Sequence, residues 1–141
     1  MRLAPTARAI VYGLLVDIGG SILAGLVLAT LYAFILAGSG MAREEILRAV
    51  SDPEPASWYS IAGFVVGCAA SFLGGYVCAR AAGPREMRAV SAVAAVSGVV
   101  SLAMGSDAYA FEWTAVLALA GMGAVFAGGW AGMQGNRTRA A

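Results

Sequence analysis

Four apolar runs separated by short polar stretches organise the chain. The first extends from Ile10 to Ala37 and carries one charge, Asp17. The second covers Trp58 to Ala82, with Arg80 near its end; the third runs from Ala89 to Met104 and the fourth from Trp113 to Met133. A helix needs about 20 mostly apolar residues to cross a bilayer, and these runs are of that order. The third is short and rich in alanine and serine, which suits contact with protein better than contact with lipid. The pattern predicts an all-α membrane protein: four transmembrane helices in one tight bundle, forming a single transmembrane domain over 1–141.

The polar stretches add detail. Residues 41–50 (MAREEILRAV) place Met41, Ile46, Leu47 and Val50 among Arg43, Glu44, Glu45 and Arg48, before Asp52, Pro53 and Pro55 stop any helix. A short interfacial helix between the first and second spans is expected there. Gly83-Pro84 reads as the turn between the second and third spans. The first run is longer than a signal-peptide core of about 7 to 15 residues, so a retained helix is expected.

Charge sets an orientation. All nine basic residues are arginine. Arg2, Arg8, Arg80, Arg85, Arg88, Arg137 and Arg139 flank one side of the predicted bundle, and only Arg43 and Arg48 the other. Cytoplasmic flanks retain positive charge. Both termini are therefore expected in the cytoplasm, with the chain in a bacterial inner membrane. Trp58, Tyr59 and Trp113 then fall at the outer interface, and Tyr12, Tyr76 and Trp130 toward the inner one.

Composition narrows the chemistry. Of 141 residues, 60% are hydrophobic and 12% charged, and the mean hydropathy is +0.79, well above a soluble domain. A net charge of +1 offers no field for nucleic acid. The chain has no histidine, which removes the usual haem and zinc ligand and the commonest general base. No cofactor, metal site or catalytic residue is expected, and no nucleophile–base pair or phosphate-binding motif is present. Cys68 and Cys78 lie ten residues apart on one predicted helix, too far for a disulfide.

Small residues recur at helical spacing. Gly63, Gly67, Ser71, Gly75 and Ala79 form one stripe; Ser21, Gly25, Ala29, Ala33 and Ala37 form another; Ala120, Ala124, Gly128 and Gly132 form a third. Such stripes let helix backbones approach where no hydrophobic effect drives association. On the third helix, Ser91, Ala94, Ala95, Gly98, Ser101 and Gly105 are predicted to share the packing face. Gly67–Arg80 also aligns with Gly121–Gln134 at five of fourteen positions. A duplicated helical hairpin would give this, as would chance in a chain rich in Gly and Ala.

Asp17 is the acid that needs a reason. A central aspartate costs about 2.5 to 3.5 kcal/mol on insertion scales, so such residues face the bundle and find partners. Gly13, Gly20 and Ser21 share its face. If it lies near the cytoplasmic side, its candidate partners are Tyr76, Arg80, Arg88, Ser91 and Gln134. Two functions fit. The leading expectation is a small membrane subunit or scaffold acting through glycine/alanine packing, with itself or within a larger membrane complex. The alternative is a minimal proton- or cation-coupled transporter or channel using Asp17. Small multidrug transporters are similar in layout, having four short helices and one acid in the first, and the likeness is one of layout alone.

Overall fold

Apolar length dominates the fold. The computed structural model describes residues 5–54, 57–83, 86–105 and 111–140, with side chains described for all of these except 104, 105, 111, 139 and 140. Arg2, Pro55, Pro84 and Arg85, named above, lie outside the described residues, as does the Arg139 side chain. The described chain is helical with no strand, and four of its helices are long and apolar enough to cross a membrane.

The first of these is interrupted. Helix α1 (Pro5–Leu14) passes through a π-helical turn (Leu15–Gly19) into α2 (Gly20–Gly38), giving 34 consecutive helical residues. A π turn accommodates one extra residue and re-aims the side chains beyond it. Gly40, at φ 81°, lies in the left-handed region after α2, where glycine is the residue without strain. Helix α3 (Arg43–Ser51) follows, and Glu45 accepts a 3.2 Å hydrogen bond from the Ala42 N–H at its start.

Helix α4 (Trp58–Ala82) begins at a Ser57 cap, whose hydroxyl accepts from the Ser60 N–H at 3.2 Å, and ends at Gly83 with φ 60°. Helix α5 (Glu86–Gly105) and helix α6 (Phe111–Ala140) complete the chain. The helices outrun the predicted apolar runs at the termini-bearing end. Their flanking arginines are good helix formers and continue the turn.

Helix α4 is central: it touches α1, the π turn, α2, α5 and α6. Helix α1 also packs on α5, and α5 on α6. Two Gly-Gly pairs make these contacts possible. A Cβ on Gly75 would stand 2.8 Å from the Val125 carbonyl carbon, and one on Gly128 would stand 2.7 Å from that of Phe72, so α4 and α6 meet backbone to backbone. The neighbouring glycines face elsewhere: Gly74 lies against Gly13 and Asp17, and Gly129 against Val90. Each pair thus serves two neighbours at once. Gly132 sits against Tyr76 and Ala79, and Gly98 against Met122.

The stripes are used unevenly. Gly25 and Gly67 have no atom within 4 Å of an added Cβ, and Gly63 meets only Leu28 at 3.8 Å. Ser21 and Ala124 are half-buried. The predicted face of α5 is corrected. Its buried residues are Ala89, Val90, Val93, Ala94, Ser97 and Gly98, while Ser91, Ala95 and Ser101 are exposed. Valines fill the wider gaps to α1 and α6 that serines would leave empty. A strict two-fold hairpin repeat would match the α4–α5 contact with one between α1 and α6, and no comparable contact occurs among the described residues.

Candidate functional site

Three of the long helices meet around Asp17, which is 3% exposed. It sits in the middle of the π-helical turn. Gly74 makes room for it: a Cβ there would stand 2.7 Å from the Asp17 Cβ and 3.1 Å from its backbone nitrogen. Gly13 does the same one turn earlier, against Cys78 and Val93.

Its carboxylate is held by two hydroxyls from two other helices. Ser71 Oγ on α4 donates to Oδ1 at 2.7 Å, and Ser97 Oγ on α5 donates to Oδ2. Both serines are buried. A carboxylate offers about four acceptor positions, so two bonds leave half of them unused.

The expected partners are corrected. Arg88, Ser91 and Gln134 are exposed, and Tyr76 and Arg80 are half-buried, with the Arg80 guanidinium 5.8 Å from the Tyr76 ring centroid. None of the five bonds the acid. The reason is depth. Arg8, Arg80 and Arg88 each lie nine residues from the member of the Asp17–Ser71–Ser97 triad on the same helix, about 13 Å along the axis. An arginine side chain at a helix end points away from the apolar interior rather than into it. Because α1 starts at Pro5, Asp17 lies well along its helix, level with the middles of α4 and α5.

Ser97 is absent from the expected partners because the apolar runs set Asp17 close to the arginine-bearing helix ends. Its signal was present: it falls one helical step from Gly98 and near mid-span of the third run. The π turn has no marker except Gly19-Gly20. Asn136 was also missed. Its Nδ2 donates to Ala79 O at 3.1 Å and to Glu86 Oε1 at 2.6 Å, tying α6 to the end of α4 and the start of α5.

The far half of the bundle is built differently. Among the described residues, α4 is the main long-helix neighbour of α2. Tyr32 stacks on Tyr59 at 4.5 Å and meets Trp58 edge-on at 5.3 Å. A shallow apolar groove of about 460 Å³ runs between α2 and α3, lined by Ala29, Thr30, Ala33, Phe34, Ala37 and Ile46. Among the described residues, no three His, Cys, Asp or Glu side chains converge.

Comparison with known protein families, curated proteins and solved structures finds no match to this chain.

Proposed function

We propose that the protein is a small multi-pass membrane protein that takes up and releases a proton or small cation at Asp17, as a minimal coupled transporter or channel. One observation carries this: the carboxylate is buried at mid-helix with two hydroxyls, and no positive group is among its partners in the described residues. A bare carboxylate away from water costs several kcal/mol even when hydrogen-bonded. A proton or bound cation supplies the missing charge. The π turn adds support, since such turns recur at functional sites.

In this proposal the four long helices cross a bacterial inner membrane as a tight bundle. The arginine-bearing termini are cytoplasmic, and α3 lies at the opposite interface. With Arg8, Arg80 and Arg88 at the headgroups, the triad falls about 13 Å deep, close to the midplane of a hydrocarbon core about 30 Å thick. No catalysis is assigned.

The test is infrared difference spectroscopy on the reconstituted protein, following the Asp17 carboxyl band as pH and salt are changed. A band that responds, and is missing in Asp17→Asn, is expected. A band unmoved by either would end the proposal and leave the triad as a helix clamp. Labelling of single cysteines at Ser57 and Thr138 checks the orientation, with outer access at Thr138 counting against it.

A second reading keeps a specific observation. Gly25 on α2 has nothing within 4 Å, and Ser21, Ala29 and Ala33 beside it are only half-buried. This uncovered face fits a subunit or scaffold that packs against another copy or a larger membrane complex. Native mass spectrometry after gentle extraction tests it. A bare monomer would count against it.

A further inference from the structure

We infer that the ion handled at Asp17 is a hard monovalent metal cation of the sodium class, held by both Asp17 carboxylate oxygens together with the hydroxyls of Ser71 and Ser97. This rests on the exchange role proposed above and specifies its substrate.

The donor set decides the metal type. The Asp17–Ser71–Ser97 cluster presents four side-chain oxygens from three helices and no nitrogen or sulfur. Soft metals select thiolate or imidazole; hard cations select oxygen. The buried thiol, Cys78, packs at Gly13, one turn closer to the termini.

Charge decides the valence. One carboxylate neutralises one positive charge. A divalent ion would leave a net charge of +1 in an apolar, buried setting, which is the same penalty with the sign reversed. The elements packed around Asp17 bring no second acid. Helix α4 presents Ser71 and Gly74, α5 presents Ser97, and α6 reaches Ser71 through Gly121, 3.9 Å from an added Cβ. No other charged group faces the carboxylate from these elements among the described residues.

The hydroxyls fit either occupant state. A serine oxygen has two lone pairs and one hydrogen. Both hydroxyls donate to the carboxylate. With a cation bound, each turns a lone pair toward it and directs its hydrogen elsewhere. The triad therefore holds together through its own hydrogen bonds and becomes a ligand shell by rotation of two O–H bonds. Gly74 lets the Asp17 side chain approach α4 closely by lacking one of its own.

The experiment uses the full chain in nanodiscs at constant ionic strength, comparing NaCl, LiCl, KCl, CaCl2 and choline chloride. The readouts are thermal unfolding and the Asp17 carboxyl band. Na+ or Li+ is expected to raise the unfolding temperature and shift the band relative to choline. Ser97→Ala is expected to weaken the apparent affinity by about tenfold or more, as loss of one charged-group ligand implies, and Asp17→Asn to abolish the response. A band that follows pH identically in all five salts would overturn the metal assignment while leaving proton exchange standing. A response to Ca2+ alone would overturn it as well. A band unmoved by pH and by every salt would remove the exchange role itself. The wild-type salt comparison decides these outcomes even where a variant fails to fold.

Discussion

Gly128→Ala tests the contact on which the bundle depends. A Cβ at this position would overlap the Phe72 carbonyl oxygen and stand 2.7 Å from its carbon. Ordinary contact at such a carbon needs about 3.4 Å or more, and the obstacle is backbone, which cannot rotate aside as a side chain can. Helix α6 must therefore back away from α4 by a substantial part of an ångström over several residues. Overpacking of this kind costs about 1 to 3 kcal/mol. Replacing glycine inside a helix returns about 1 kcal/mol through propensity, leaving a net loss of up to about 2 kcal/mol. Gly123→Ala is the matched control. It lies on the same helix with nothing within 4 Å of the added carbon, so it keeps the propensity term without the clash. Reversible unfolding of both variants in mixed micelles, followed by circular dichroism, measures the difference. Equal stability of the two would refute the close α4–α6 approach.

Three further perturbations probe other links. Ser71→Ala and Ser97→Ala are each expected to destabilise by about 1 to 3 kcal/mol, because a carboxylate oxygen loses its donor; a double-mutant cycle should show coupling through Asp17, and strict additivity would count against one shared acid. Gly83→Ala should cost about 1 kcal/mol or more, since φ 60° with ψ −134° is a conformation that residues with a Cβ avoid; an unchanged unfolding curve would contradict this helix end. Tyr32→Ala should lose about 1 to 3 kcal/mol from its two ring contacts, and Tyr32→Phe should retain most of it; equal loss in both would point to the hydroxyl instead of the ring.

The four long helices were legible because apolar length dominates their formation. The second is clearest: Trp58–Ala82 lies between the polar stretch that holds Asp52, Pro53 and Pro55 and the turn at Gly83-Pro84, and the helix has those bounds. The ends of the first and last helices were harder, because arginine ends an apolar run without ending a helix. The carboxylate's partners were not legible. Hydropathy gives no depth finer than the length of the run, and starting the first span at Ile10 instead of Pro5 drew Asp17 toward the arginines. The error on α5 has the same source. Spacing shows which residues share a face, but Ser91 and Ser97 differ by six residues, and only contact with α1 shows which side is covered.

The two Phe-x-Gly-Gly-aromatic segments look like a duplicated motif, but the contacts supply another reason for their likeness. Helix α4 must pass α1 on one side and α6 on the other, and Gly74 and Gly75 divide those tasks. Helix α6 must pass α4 and α5, and Gly128 and Gly129 divide those. Adjacent residues on a helix point about 100° apart, so two consecutive glycines open two neighbouring faces at one level. Any helix wedged between two others at close range meets that requirement. The same requirement locates the acid. Gly74 is the face of α4 turned toward the first helix, and the group that fills the space is Asp17. The π turn then re-aims the rest of that helix, so that beyond it α2 keeps contact with α4 and leaves α5. The carboxylate therefore stands where the first helix changes partners. Its two serines come from the helix that α2 keeps and the helix that it leaves, so an ion that rearranges those hydroxyls acts at the junction between the closed half of the bundle and the open one.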